Sequence, residues 1–149
     1  MLNKMFLLIF AVSTILLISC NPEPTPIQYG KDNCEYCRML ISDTKYGAEL
    51  ITKKGKIFKY DSIECLAAYS NEIDQNEIHS MWVVNFSRPN ELININDSQF
   101  LLSDNLKSPM GLYLSAYKDG EQLAEIQKQF GGKIIVWKEL VDYVIHEWN

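Results

Sequence analysis

Gly55-Lys56-Ile57-Phe58-Lys59-Tyr60-Asp61-Ser62-Ile63-Glu64 reads as a short strand running straight into a helix. Lys53-Lys54-Gly55 supplies the turn before it, and Ile57 and Phe58 favour a pleated, half-buried surface. Asp61 stands where a helix N-cap is wanted, with Glu64 placed to complete a capping box. Ile63, Leu66 and Ala67 then form one apolar face. The passage has an echo in Gly132-Lys133-Ile134-Ile135-Val136-Trp137, which runs into Lys138-Glu139-Leu140-Val141. A methionine precedes each across one strand: Met39 in the first half, Met110 in the second. The echo suggests an α+β chain built from a duplicated β-rich unit with small helices; its identity is slight enough that chance similarity stays open.

Working outward, residues 43–52 alternate as a strand with Ala48, Leu50 and Thr52 on one face. Residues 81–86 predict a buried strand closed by Arg88-Pro89-Asn90. Residues 92–96 and 99–103 predict a hairpin around Asn96-Asp97, and 111–117 a further strand. Residues 121–130 form an amphipathic helix with Leu123, Ile126 and Phe130, ended by Gly131. A strand over 133–137 and a helix over 138–148 complete the chain.

The N-terminus carries a targeting signal. Lys4 gives the positive region, residues 5–18 are apolar but short for a membrane span, and Leu17-Ile18-Ser19-Cys20 resembles the bacterial lipobox. That resemblance implies a signal peptide over 1–19, cleavage before Cys20, and a three-chain lipid anchor there; the alternative is an ordinary secretory signal with an incidental cysteine. Residues 20–27, with Pro22, Pro24 and Pro26, predict an extended tether. Residues 28–149 form one compact soluble domain with approximate halves 28–88 and 89–149. Such a protein sits in the bacterial cell envelope outside the cytoplasm. Asn21, where an inner-membrane lipoprotein often has Asp, leans the placement toward the outer membrane.

Composition removes several function classes. The net charge is −5 and no basic cluster is interleaved with aromatics, so nucleic acid is not a partner. His79 and His146 are the only histidines, which counts against histidine-rich zinc or Cu(II) sites and against most Ser-His and Cys-His hydrolases. No enzyme is expected.

The chemistry lies in Cys34-Glu35-Tyr36-Cys37-Arg38-Met39. Thiolate and thioether are soft donors that select Cu(I) over hard cations. Cys34 and Cys37 have the spacing of a knuckle turn. If residues 38–41 are strand, Cys37 and Met39 point to one face. Met110, in Ser108-Pro109-Met110-Gly111, offers a third sulfur, and Gly111 leaves room for close backbone approach. Cys37, Met39 and Met110 would make a trigonal sulfur site able to hold Cu(I) and still yield it to a better-equipped acceptor. Cys65, in an apolar helix, reads as a small buried hydrophobe.

The pattern Asp32-x-Cys34-x-Tyr36-Cys37-x-Met39-x-Ile41 resembles the opening of the NosL family of lipid-anchored copper chaperones. The match continues through Tyr46-Gly47-Ala48-Glu49-Leu50, Phe58-x-x-Asp61-Ser62-Ile63-Glu64, Pro109-Met110-Gly111 and Gly131-Gly132-Lys133-Ile134. The resemblance implies a Cu(I) carrier that works beside an ABC-type assembly transporter and serves the copper–sulfide centre of nitrous oxide reductase. It implies two small related ββαβ-type units, as in the organomercurial lyase, and the ligands Cys37, Met39 and Met110, with Cys34 less firmly included. Two other readings stay open: a thiol-disulfide protein using Cys34 and Cys37, and a structural lipoprotein stapled by their disulfide.

Overall fold

A computed structural model describes residues 22–148. The expected signal peptide and Cys20 lie outside the described residues. The first unit opens with β1 (Ala48–Thr52), which turns at Lys53-Lys54-Gly55 into antiparallel β2 (Ile57–Tyr60). Helix α1 (Ile63–Glu72) follows, then a 3-10 turn (Gln75–Glu77) and β3 (Ile78–Val84), which returns antiparallel to the other side of β1. A short β4 (Leu92–Asn94) closes the sheet in the order β2-β1-β3-β4.

The second unit repeats the plan. Strand β5 (Gln99–Leu102) pairs with β6 (Leu114–Tyr117); helix α2 (Gly120–Phe130) crosses over; β7 (Lys133–Ile135) returns to the free side of β5, giving the order β6-β5-β7. In both units the first strand is central, with its hairpin partner on one side and the post-helix strand on the other. Two related ββαβ units are therefore present, in an α+β chain of two antiparallel sheets and three helices. The last helix, α3 (Trp137–Trp148), packs against α1 of the first unit.

The two sheets meet at a seam. Asn85 forms a parallel bridge with Ala116, and the Phe86 N–H donates to the Ala116 carbonyl at 2.8 Å. One core runs through both units, with Leu50, Leu66 and Val83 of the first joined to Phe100, Leu114 and Leu140 of the second. Leu101, Leu106, Tyr117 and Leu123 make a smaller cluster under α2. Among the described residues no helix is long and apolar enough to cross a membrane.

Several expectations are corrected. The echo aligned β2 with β7, whereas topology pairs β2 with β6 and β3 with β7; the repeat is real in connectivity but the echoed residues do not occupy equivalent strands. Residues 92–96 and 99–103 do not form a hairpin. The turn between them is a 3-10 turn (Ile95–Asp97) that carries the chain from β4 in one sheet to β5 in the other. Residues 43–47 precede β1 rather than extend it, because Gly47 takes φ +127, a left-handed conformation. Ser62, not Asp61, caps α1: its side chain accepts from the Cys65 N–H at 3.5 Å.

The tether also behaves differently from expectation at its end. All five residues of β1 are buried, so both faces of the strand are covered. The second cover is the segment entering the domain. The Thr25 N–H and hydroxyl donate to the Glu49 carboxylate at 3.0 and 3.2 Å, and Lys59 Nζ donates to the Pro26 carbonyl at 3.0 Å. Ile27 lies so close to Gly47 that a Cβ there would stand 2.7 Å from its Cδ1.

Candidate metal centre

Residues 32–41 form a small hairpin that lies on the outer edge of β2. Asn33 bridges Leu40, the Cys34 N–H donates to the Met39 carbonyl at 2.8 Å, and the Ile41 N–H donates to the Asp32 carbonyl at 2.9 Å. The Arg38 N–H donates back to the Cys34 carbonyl at 3.0 Å, closing a knuckle around residues 34–38. The Glu35 N–H bonds the Lys59 carbonyl at 2.8 Å and fixes the knuckle to β2.

Arg38 decides which side chains turn inward. It takes φ +65, a left-handed conformation that breaks the two-residue alternation of a strand. The expected strand over residues 38–41 is thus reduced to a single bridge at Leu40. Cys37 is half-buried and packs against the main core, while Met39 is 49 % exposed. Cys34 is fully buried.

The strand-to-helix passage at the end of β2 supplies two further donors. Asp61, the residue before the Ser62 cap, and Cys65, in the first turn of α1, flank the helix entry and face the knuckle. The Sγ atoms of Cys34, Cys37 and Cys65 and a carboxylate oxygen of Asp61 all lie within 4.8 Å of one another. An ion bonded to sulfur at about 2.3 Å holds its donors no more than about 4.6 Å apart, so the four groups stand near closing distance. Both carboxylate oxygens of Asp61 are buried without a hydrogen-bond partner. An ionised carboxylate in that state is costly unless a cation compensates it.

The thiols themselves are unequal, and all three are free. Cys34 is pulled down to about 6, first because the Cys65 thiol donates to it and further by the backbone N–H groups of Cys37 and Asp61. Cys65 is pushed up, chiefly because it is that donor. Burial pushes Cys37 up to about 11. Of the three, Cys34 is the one whose surroundings favour the thiolate.

The expected site residues are distributed as follows. Cys34 and Cys37 are brought together. Met39 stands at the exposed rim of the same hairpin. Met110 is half-buried on the loop between β5 and β6 and packs against the core shared by both units. Its loop is fastened to α1, where the Ser108 hydroxyl donates to the buried Glu64 carboxylate and accepts from the Tyr113 N–H at 2.9 Å. His79 and His146 are both exposed. Asp61 and Cys65 were not among the expected ligands. The available signal was a carboxylate and a thiol on either side of the strand-to-helix passage that follows β2.

A family model for NosL matches residues 25–145. The chain belongs to the NosL family. The matched span holds the knuckle, both ββαβ units and most of α3, so the NosL assignment covers every element that builds the cluster. Among solved structures, the crystal structure of the copper chaperone NosL from Shewanella denitrificans is similar in fold, with a TM-score of 0.68 at 22% identity, covering 79% of this chain and 95% of that one. No curated protein matches the chain.

Proposed function

We propose that this NosL-family chain is a Cu(I) carrier that acts outside the cytoplasm from a lipid anchor at Cys20. It serves maturation of the copper–sulfide centre of nitrous oxide reductase, beside an ABC-type transporter, and is not an enzyme. The observation that carries the reading is the buried cluster of three thiols around a carboxylate that has no hydrogen-bond partner. Soft donors suit a soft cation, and the family matched is that of a copper chaperone with the same fold.

Copper is cargo here, and the arrangement gives it a way in. Cys37 and Met39 stand at the accessible side of the knuckle, with Cys34, Cys65 and Asp61 behind them. Met110, on the β5–β6 loop of the second unit, packs against the core that the knuckle also meets. Cys37, with Met39 and Met110, would receive the ion, and the inner thiols and carboxylate would balance its charge.

Anaerobic Cu(I) titration of the reduced chain against a competing chelator tests this. One copper per chain is expected. Cys37→Ser should weaken binding by on the order of 100-fold or more, and Asp61→Asn, Met39→Leu and Met110→Leu by smaller factors of roughly 10-fold. Failure to compete for Cu(I) would sink the carrier reading. The thiol-disulfide alternative needs an accessible attacking thiol, whereas Cys34 is fully buried and burial pushes the more accessible Cys37 up to about 11. Turnover of a disulfide substrate that survives loss of both methionines would decide for it.

A further inference from the structure

Away from the thiols, a cleft of about 470 Å³ opens between the β1–β2 turn and the C-terminal end of α1. Its floor is Phe58, Tyr69 and Ile73, with the two rings 5.3 Å apart and tilted by 45°. Its rim is Lys53, Lys54 and Lys56. Lys56 Nζ lies 4.1 Å from the centre of the Phe58 ring, and among the described residues none of the three ammonium groups has an ion pair. Glu77 is the one acidic residue lining the cleft. The rim therefore carries an excess of positive charge on a chain whose net charge is −5.

The walls are braced by main-chain bonds. The Lys53 N–H donates to the Glu77 carbonyl at 2.9 Å, and the Thr52 N–H to the Lys56 carbonyl at 2.9 Å. The turn is thus tied both to itself and to the 3-10 turn that follows α1, so the cleft is pre-formed. Its volume falls within the range of small-molecule sites, about 300–1,000 Å³, and its lining pairs an apolar floor with a few convergent charges. An apolar body on the floor would gain roughly 25 cal/mol for each Å² removed from water. The rim lysines would meet an anionic head without having to break existing ion pairs.

We propose that this cleft binds a small amphipathic anion: a phosphate or carboxylate head at Lys54 and Lys56, carried on an acyl or aryl body that lies on Phe58, Tyr69 and Ile73. The same chemistry is offered by a free metabolite and by the headgroup and upper chain of an anionic phospholipid. Calorimetric titration of the chain from residue 22, which carries every element described, uses octyl phosphate as the probe. Inorganic phosphate supplies the head alone and octanol the body alone. One octyl phosphate per chain is expected, with neither part alone saturating in the same range. Lys54→Gln with Lys56→Gln, and separately Ile73→Asn, should each weaken it about tenfold or more, the scale of one lost charge-assisted hydrogen bond or one lost apolar contact. Sedimentation with phosphatidylcholine vesicles, with and without phosphatidylglycerol, separates the sources. Vesicle binding that requires phosphatidylglycerol and that the lysine variant loses assigns the bilayer; octyl phosphate binding without vesicle binding assigns a free molecule. Absence of saturable octyl phosphate binding, or binding indifferent to both variants, overturns the proposal.

Discussion

At the scale of single residues, Arg38 carries a backbone cost that no side-chain interaction recovers. Its left-handed φ of 65 disfavours any residue with a Cβ, and its ion pair with Glu35 is solvent-exposed and worth little. Arg38→Gly should leave the knuckle intact and stabilise the fold by up to about 1 kcal/mol in urea unfolding; a loss of similar size would show that the Arg38 side chain, through Glu35 or its packing, outweighs the backbone cost. Glu49 makes a second residue-scale prediction. Burial raises its pKa against the opposing pull of the Thr25 N–H and Lys59. A carboxyl raised by folding adds to stability below its unfolded value, near 4.5, and that contribution is lost as pH rises through the folded value. The unfolding free energy of Glu49→Gln relative to the native chain should therefore increase between pH 4 and pH 8. A difference that falls over that range would contradict the stated environment.

Among the elements, the knuckle and the last helix are joined although they lie at opposite ends of the chain. Tyr36, between the two knuckle cysteines, stacks on Trp148 with ring centroids 5.9 Å apart and planes within 11°, and its hydroxyl donates to Glu72 of α1 at 3.3 Å. Such a ring pair contributes about 0.5–1.5 kcal/mol. Trp148→Ala should speed alkylation of Cys37 by iodoacetamide roughly two- to tenfold, while Trp148→Phe should restore most of the protection; equal rates in all three chains would mean that α3 does not hold the knuckle closed. The helices and most strands were legible from local signals, such as the 3.6-residue repeat of Leu123, Ile126 and Phe130 and the glycine that ends α2. Strand partners were less so. Nothing local in Asn94-Ile95-Asn96-Asp97 distinguishes a hairpin turn from a passage between sheets, because partner choice is made by the distant β3 and β6. The ligand set was half legible for the same reason: Cys34 and Cys37 are neighbours in sequence, whereas Asp61 and Cys65 reach them only through the pairing of the hairpin with β2.

For the whole molecule, the shared core decides how it comes apart. Val83 and Ile93 of the first sheet lie in one cluster with Phe100, Leu114 and Ile135 of the second, and α3 of the second half packs on α1 of the first. Neither unit buries its apolar face alone, so unfolding should be a single transition, coincident by far-ultraviolet circular dichroism and by tryptophan fluorescence. Two separated transitions would mean that the seam at Asn85 and Ala116 is a domain boundary rather than part of one fold. The duplication is thus of topology and not of chemistry: both units share the ββαβ path, but the three described thiols belong to the first.

The clasp between Thr25 and Glu49 sets a working radius. If the chain hangs from a lipid on Cys20, only the five peptide steps to Thr25 are free to pay out, a reach of at most about 18 Å. The domain then samples a thin layer of space against the bilayer instead of roaming the compartment. Any partner fixed in that membrane then meets the domain at the high effective concentration of a short-leashed pair, whereas a partner free in solution must come to it.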